Sequence, residues 1–405
     1  MIFYLLVIIN LFLSTFFQFH IANVMSENET DTVFFLIGLS SVIISMSTSG
    51  LSGYLITNFS KESECNKLCD VFSEKFSFFV IFFGLISFLC AIGGLSWREY
   101  FSESESSVSL FTWMFLFCFF SSLNILGQSF SYSLNKAKEY EMISLISFGF
   151  SFLLLFDYSV NNVIAFFSIR LILTVSVFLA LYTRSLKFFH ISINSAKSVF
   201  NDIRVMIFGG GIYKSEPLID KIIISSVTGG ITALHLITQI YNAVLGIWFK
   251  VYTSNEIVVL SRLQSSSDRT GFTARLKRSY TMVSIISIVC LLITFWTPVL
   301  DIILGFEIFS SLKNYKTIIM ILLIYFITSL FGQIISNIFY VKGDYKTPVI
   351  VSTISFMVFI PIKIHFVEMY GLLSVALLMV VYHIVNTTIL YFINRARNEK
   401  NISSH

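Results

Sequence analysis

One thirteen-residue stretch concentrates the ionisable chemistry of this 405-residue chain: Gly209-Gly-Gly-Ile-Tyr-Lys-Ser-Glu-Pro-Leu-Ile-Asp-Lys221. Its flanks are apolar, and charged groups set in hydrocarbon are expensive, so those that occur there face a solvated passage or a partner. On a helix, Lys214 and Lys221 stand seven residues apart, two turns along one face. Glu216 and Asp220 stand four apart on roughly the opposite face. One face then offers ammonium groups to an anion while the other offers carboxylates to a neighbouring helix. Two other arrangements stay open: all four groups form structural ion pairs, or the span starts later and Lys214 snorkels to the interface. Three glycines followed by Pro217 weaken the helix, because proline removes a backbone hydrogen bond and clashes with the preceding turn. Carbonyls freed in this way are tolerated at membrane depth only where protein or cavity water meets them.

Arg170 is the next candidate, about ten residues into an apolar run, with no acidic residue one turn away in its own helix. It either faces a cavity or pairs with Glu216 or Asp220. Lys250 lies near the end of its run and snorkels. His235, His365 and His383 are isolated, and an isolated helical histidine is ordinarily a hydrogen-bonded core residue. Gln333 and Asn337, four apart, suit hydrogen bonds between helices. Arg170, Lys214 and Lys221 against Glu216 and Asp220 leave one net positive charge, which favours an anionic substrate over an organic cation. No phosphate-cradling loop ending in Lys-Ser/Thr, HExxH or GxSxG motif occurs in a plausible context, and no His/Cys set is spaced for zinc. We therefore expect no enzyme, no cofactor and no metal.

The elements that position these residues are membrane spans. The chain is 56% hydrophobic and 12% charged, where a soluble domain carries about 25% charged residues. A span needs ~20 apolar residues to cross ~30 Å of hydrocarbon. Twelve runs qualify: Phe3–Val24, Val33–Asn58, Phe76–Leu95, Val108–Tyr132, Met142–Phe156, Val160–Tyr182, Val205–Ser226, Ile231–Val251, Tyr280–Leu304, Thr317–Val341, Pro348–Phe366 and Leu372–Ile393. With the amino terminus inside, nineteen of the 27 Lys/Arg fall on internal loops and the tail. Four (Arg98, Lys313, Lys316 and Lys363) fall on external connections or their margins. That bias places both termini in the cytoplasm. The scattered basic residues argue against nucleic acid. The amino-terminal run lacks a basic leader and a small-residue cleavage site, so we read it as a retained span.

The expected fold class is an all-α integral membrane protein of about twelve transmembrane helices in two six-helix lobes, residues 1–190 and 191–405. A loose echo supports the division: Ser49-Gly-Leu51 in the second span and Leu245-Gly-Ile247 in the eighth each follow a short external turn and precede a basic internal loop. Such symmetry is what two parallel repeats produce. Residues 255–262, followed by Arg269 to Arg278, read as an interfacial amphipathic stretch whose arginines meet anionic phosphate, or simply as orientation-setting positives. Cys90, Cys118 and Cys290 lie in spans and Cys65 and Cys69 in an internal loop, so all five are expected to be free thiols.

Pro217-Leu-Ile-Asp-Lys-Ile-Ile-Ile-Ser-Ser-Val-Thr-Gly-Gly-Ile-Thr-Ala-Leu-His235, followed by Gln239-Ile-Tyr241, resembles the seventh-span hairpin of bacterial polysaccharide flippases. Phe35-Leu-Ile-Gly38 and Ser49-Gly-Leu51 are similar to the family's second span. Span count, orientation and the six-plus-six division agree. The chain thus resembles Wzx-type O-antigen flippases of the MOP exporter superfamily. That resemblance implies alternating access on an undecaprenyl-pyrophosphate-linked oligosaccharide, moved from the cytoplasmic to the periplasmic leaflet of the inner membrane. It implies membrane lipids, a polymerase and a chain-length regulator as partners. It places Asp220 and Lys221 near the central cavity; the reading of the intramembrane charges adds Arg170 and Lys214 as cavity residues, with Glu216, Lys250 and His235 in support. The alternatives are a cation or drug antiporter of the same superfamily and, from a different class, a membrane-embedded polymerase or ligase.

Overall fold

In a computed structural model the described residues are 2–48, 65–98, 107–134, 136–182, 214–225, 229–248, 252–266, 268–295, 314–344 and 346–403, with isolated positions between these segments. Among them the regular structure is entirely helical. In chain order the helices are α1 (Ile2–Val24), α2 (Glu27–Thr48), α3 (Cys65–Arg98), α4 (Ser107–Ser133), α5 (Ala137–Leu153), α6 (Val160–Tyr182), α7 (Glu216–Ile224), α8 (Gly230–Trp248), α9 (Ser254–Ser265), α10 (Arg269–Phe295), α11 (Lys316–Val341), α12 (Lys346–Tyr370) and α13 (Leu372–Ser403). Where they are described, the expected spans lie on helices, and α9 covers residues 255–262. Among the described residues seven helices are long and apolar enough to cross a membrane: α1, α4, α6, α8, α11, α12 and α13. Gly209 to Gly211 and Ser49 to Leu51 lie outside the described residues.

Helix ends carry their own signals. Ser26 and Glu29 form a reciprocal capping box, with the Glu29 N–H donating to Ser26 Oγ at 3.4 Å and the Ser26 N–H to Glu29 Oε2 at 3.3 Å. This box starts α2 at Glu27, so the expected outer turn Met25–Asp31 is shorter than its polar residues suggested, and Asp31 is buried within the helix. Asp268 caps α10 by accepting the Gly271 N–H at 2.9 Å. At the end of α11, Gly343 has φ 78°, a left-handed conformation that glycine adopts without a Cβ clash. Asp344 then accepts the Thr347 N–H at 3.0 Å, so one residue closes a helix and caps the next.

The helices group into two compact units. The first comprises Met1–Asn10 and Val24–Lys221. Its α4 packs on α3 and α6, and α6 on α5. Lipid is as apolar as phenylalanine, so packing here rests on dispersion and ring geometry rather than on escape from water. Phe178 shows this: its ring meets Tyr140 edge-on at 4.8 Å and Tyr182 at 5.0 Å, inside a cluster with Phe79, Phe83 and Phe130. The second unit comprises Leu11–Asn23 and Ile222–His405. There α13 packs on α11 and α12, around Ile335, Phe339 and Leu390. Tyr241 of α8 donates its hydroxyl to the Ile319 carbonyl of α11 at 2.6 Å. The buried carboxylate of Glu256 on α9 takes Arg275 Nε of α10 at 2.7 Å, which fixes α9 to its neighbour.

Replacing Phe178 by Ala empties the centre of the first unit's aromatic cluster and should cost about 3–5 kcal/mol. Thermal unfolding of the purified protein in detergent checks this, with Phe178→Leu losing a smaller fraction.

Candidate functional site

The first unit buries two polar constellations. In one, Lys221 reaches from α7 to α2 and donates its ammonium to the Phe34 carbonyl at 2.7 Å. A helical carbonyl has a second lone pair beyond its own ladder bond, and the lysine uses it. Asp31, one turn earlier on α2 and buried, acts on Lys221 electrostatically. The approach is possible because residue 38 is glycine. A Cβ there would lie 2.6 Å from Lys221 Nζ and 3.0 Å from its Cδ, closer than atoms pack. Lys221 is 5% exposed and Asp220 0%, so this cation and its neighbouring carboxyl are both withdrawn into the unit. Glu216 is buried as well, and Lys214 is half-buried.

The second constellation lies among α1, α5 and α6. Asn10 donates its amide to both the Glu141 backbone carbonyl, at 2.8 Å, and Glu141 Oε2, at 2.9 Å. Both residues are 4% exposed. Glu141 acts electrostatically on Arg170, whose guanidinium carbon sits 5.0 Å from the Phe148 ring centroid. That cation–π contact supports the arginine from the neighbouring helix where water would otherwise solvate it. Thr174, one turn on, spends its hydroxyl on the Arg170 carbonyl at 2.8 Å. Asn10 Oδ1 and Tyr132 Oη are buried with no hydrogen-bond partner among the described residues.

In the second unit His235 and Gln18 are hydrogen-bonded at 2.9 Å, and both are buried. Lys363 corrects an expectation. It had been assigned to the external margins, but it lies inside α12, fully buried, with its ammonium 5.9 Å from the Tyr382 ring centroid. Lys363 stands three residues inside the end of the expected span, and the packing of α12 against α13, which carries Tyr382, covers it. Lys250 lies outside the described residues. No group of three or more His, Cys, Asp or Glu suited to a metal occurs among the described residues.

Of the candidate residues, Glu216, Asp220 and Lys221 share α7, with Lys214 just before it, while Arg170 joins a separate cluster on α5 and α6. Pairing Arg170 with Glu216 or Asp220 was open in the sequence, and the carboxylate found acting on it is Glu141. Sequence reading missed Asn10, Asp31, Glu141 and Lys363. Glu141 was overlooked because the fifth span was begun at Met142. Starting at Ala137, where α5 begins, puts Glu141 and Phe148 two turns apart on one face.

The chain matches no protein-family model and no curated protein by sequence. Solved structures share its fold. The lipid II flippase MurJ in an inward closed conformation aligns over 97% of this chain and 87% of its own, with a TM-score of 0.70 and 18% identity. An inward-facing multidrug resistance MATE transporter of the MOP superfamily aligns over 98% and 94%, with a TM-score of 0.66 and 12% identity. A MOP superfamily transporter from Pyrococcus furiosus, described as having a binding pocket of reversed polarity, aligns over 98% and 95%, with a TM-score of 0.65 and 13% identity. The chain therefore shares the fold of these structures, and with seven apolar helices among the described residues it is a multi-pass membrane protein.

Gly38→Ala should destabilise the protein by pushing Lys221 off the Phe34 carbonyl. In a Lys221→Ala background the same substitution should cost less, with a coupling on the order of 1 kcal/mol. A double-mutant cycle on thermal unfolding measures it, and strict additivity would contradict the contact.

Proposed function

We propose that this protein is a flippase of the Wzx type, moving undecaprenyl-pyrophosphate-linked polysaccharide repeat units across the bacterial inner membrane by alternating access. The observation that carries this reading is a set of buried cations, Lys221 and Arg170 above all, held by helices of a transporter fold. A cation withdrawn from water is stabilised by an anion that brings its own charge, and a pyrophosphate does so. In the resting arrangement Lys221 rests on a neutral carbonyl and Arg170 on an aromatic face. A phosphate brings its own negative charge to either group, and its hydrogen bonds with a cation, charged on both sides, are stronger than those a neutral acceptor makes. Lys214, half-buried and without a partner among the described residues, adds a third cation near the same helix. Asp220 belongs with these cations at the substrate cavity, and Glu216 and His235 support them.

The likeness to a flippase of a lipid-linked substrate supports the lipid class of cargo. The bias of basic residues supports cytoplasmic termini and the division into lobes of residues 1–190 and 191–405. A same-fold antiporter driven by a cation is the rival reading. It is favoured by one observation, the buried Glu141 beside the unpartnered Asn10 Oδ1. The same pair also suits an ion-coupling role in a flippase.

Deleting the protein from its host should leave complete lipid-linked repeat units on the cytoplasmic leaflet and abolish surface glycan. Lys221→Ala and Arg170→Ala should each fail to restore display, while Lys221→Arg restores part of it. Exported but unpolymerised units would instead indicate a polymerase, and normal glycan with altered resistance to organic cations would indicate an antiporter. Leaflet-resolved lipid analysis of the deletion strain separates the three.

A further inference from the structure

Four basic residues open α10, and they differ in what they do. Arg275 is spent on the buried Glu256 carboxylate. Arg269, Lys277 and Arg278 are exposed and have no partner among the described residues. Of these, Lys277 alone lines an open groove of about 530 Å³ along α10, which starts at Thr273 and Leu276 and runs past Tyr280 and Ser284 to Ile285 and Ile288. The groove changes character along its length. Its head carries an ammonium, and its far end carries isoleucines that are 54% and 56% exposed. Tyr280 forms the step between them, its ring stacked on Phe331 of α11 with centroids 6.4 Å apart. An amphipathic ring in that position marks the level of the headgroups. The Thr281 hydroxyl donates to the Lys277 carbonyl at 2.9 Å, so its proton is used and the lysine is left as the donor at the head. From Lys277 to Ile288 the helix rises about 16 Å. That is close to one leaflet of hydrocarbon, half of the ~30 Å core.

We propose that this groove holds an anionic glycerophospholipid of the leaflet in which α10 begins, with the phosphate on Lys277 and one acyl chain laid along Ser284, Ile285 and Ile288. The site is separate from the buried cations and stands whether or not the flippase reading does. A cation at one end, a leaflet's length of apolar groove and an aromatic step at the boundary match a phospholipid. A polyprenyl pyrophosphate with a long sugar chain is a different occupant, and its recovery from the groove would contradict the assignment.

The test uses full-length protein in mild detergent, exchanged with equimolar phosphatidylglycerol and phosphatidylcholine, with retained lipid read by native mass spectrometry. Wild type should retain phosphatidylglycerol over phosphatidylcholine by about fivefold, since one lysine near an anionic surface contributes about 1 kcal/mol. Lys277→Gln should remove that preference and Lys277→Arg keep it. Ser284→Trp fills the groove without touching charge and should also lose the retained lipid. Arg269→Gln, outside the groove, should change nothing. Retention unaltered in both Lys277→Gln and Ser284→Trp overturns the proposal. An equal loss in Arg269→Gln overturns it too, because attraction would then be general rather than sited. Lys277 is exposed, so its substitution leaves the fold intact, and thermal unfolding of each variant verifies that.

Discussion

Hydrocarbon offers no water, and every polar group held in it must find its partner within the protein. The contact between Lys221 and the Phe34 carbonyl is the sharpest expression of that constraint here. It uses a lone pair that the helix ladder leaves over, and a Cβ at residue 38 would force the lysine to shift. Asp31, buried one turn earlier on α2, supplies an opposing charge. The rest of the first unit is built so that such a group can be tolerated. Its phenylalanines interlock edge-to-face, and its serine and threonine hydroxyls bond back to carbonyls in their own helices, as Ser40 does to Leu36 and Ser151 to Ser147.

The same logic governs Arg170 and Glu141. An arginine over a phenylalanine ring and a carboxylate met by an asparagine amide are both arrangements that lower the cost of burial.

In the second unit the opposite strategy operates. Glu256 and Arg275 form a direct charged pair that fixes α9 to α10.

Hydrophobic run length was enough to place helices within the described parts of the expected spans, seven of them long and apolar enough to cross a membrane, and composition alone excluded a soluble globule. That succeeds because in lipid a backbone has only one inexpensive way to satisfy itself, so a long apolar stretch is a helix whatever its neighbours. Charge in the 214–221 segment was equally visible, since an ionised group in an apolar run stands out at any depth. What residue order left open was partnership. Asn10 meets Glu141 across 131 positions of sequence and Lys221 meets Phe34 across 187. Neither distance leaves a trace in periodicity. Lys363 and Asp31 were misjudged for a related reason: each sits near a helix end, where a polar residue can belong either to water or to the core. Only the packing of neighbouring helices decides which, because burial is a property of the assembled surface and not of the residue that carries the charge.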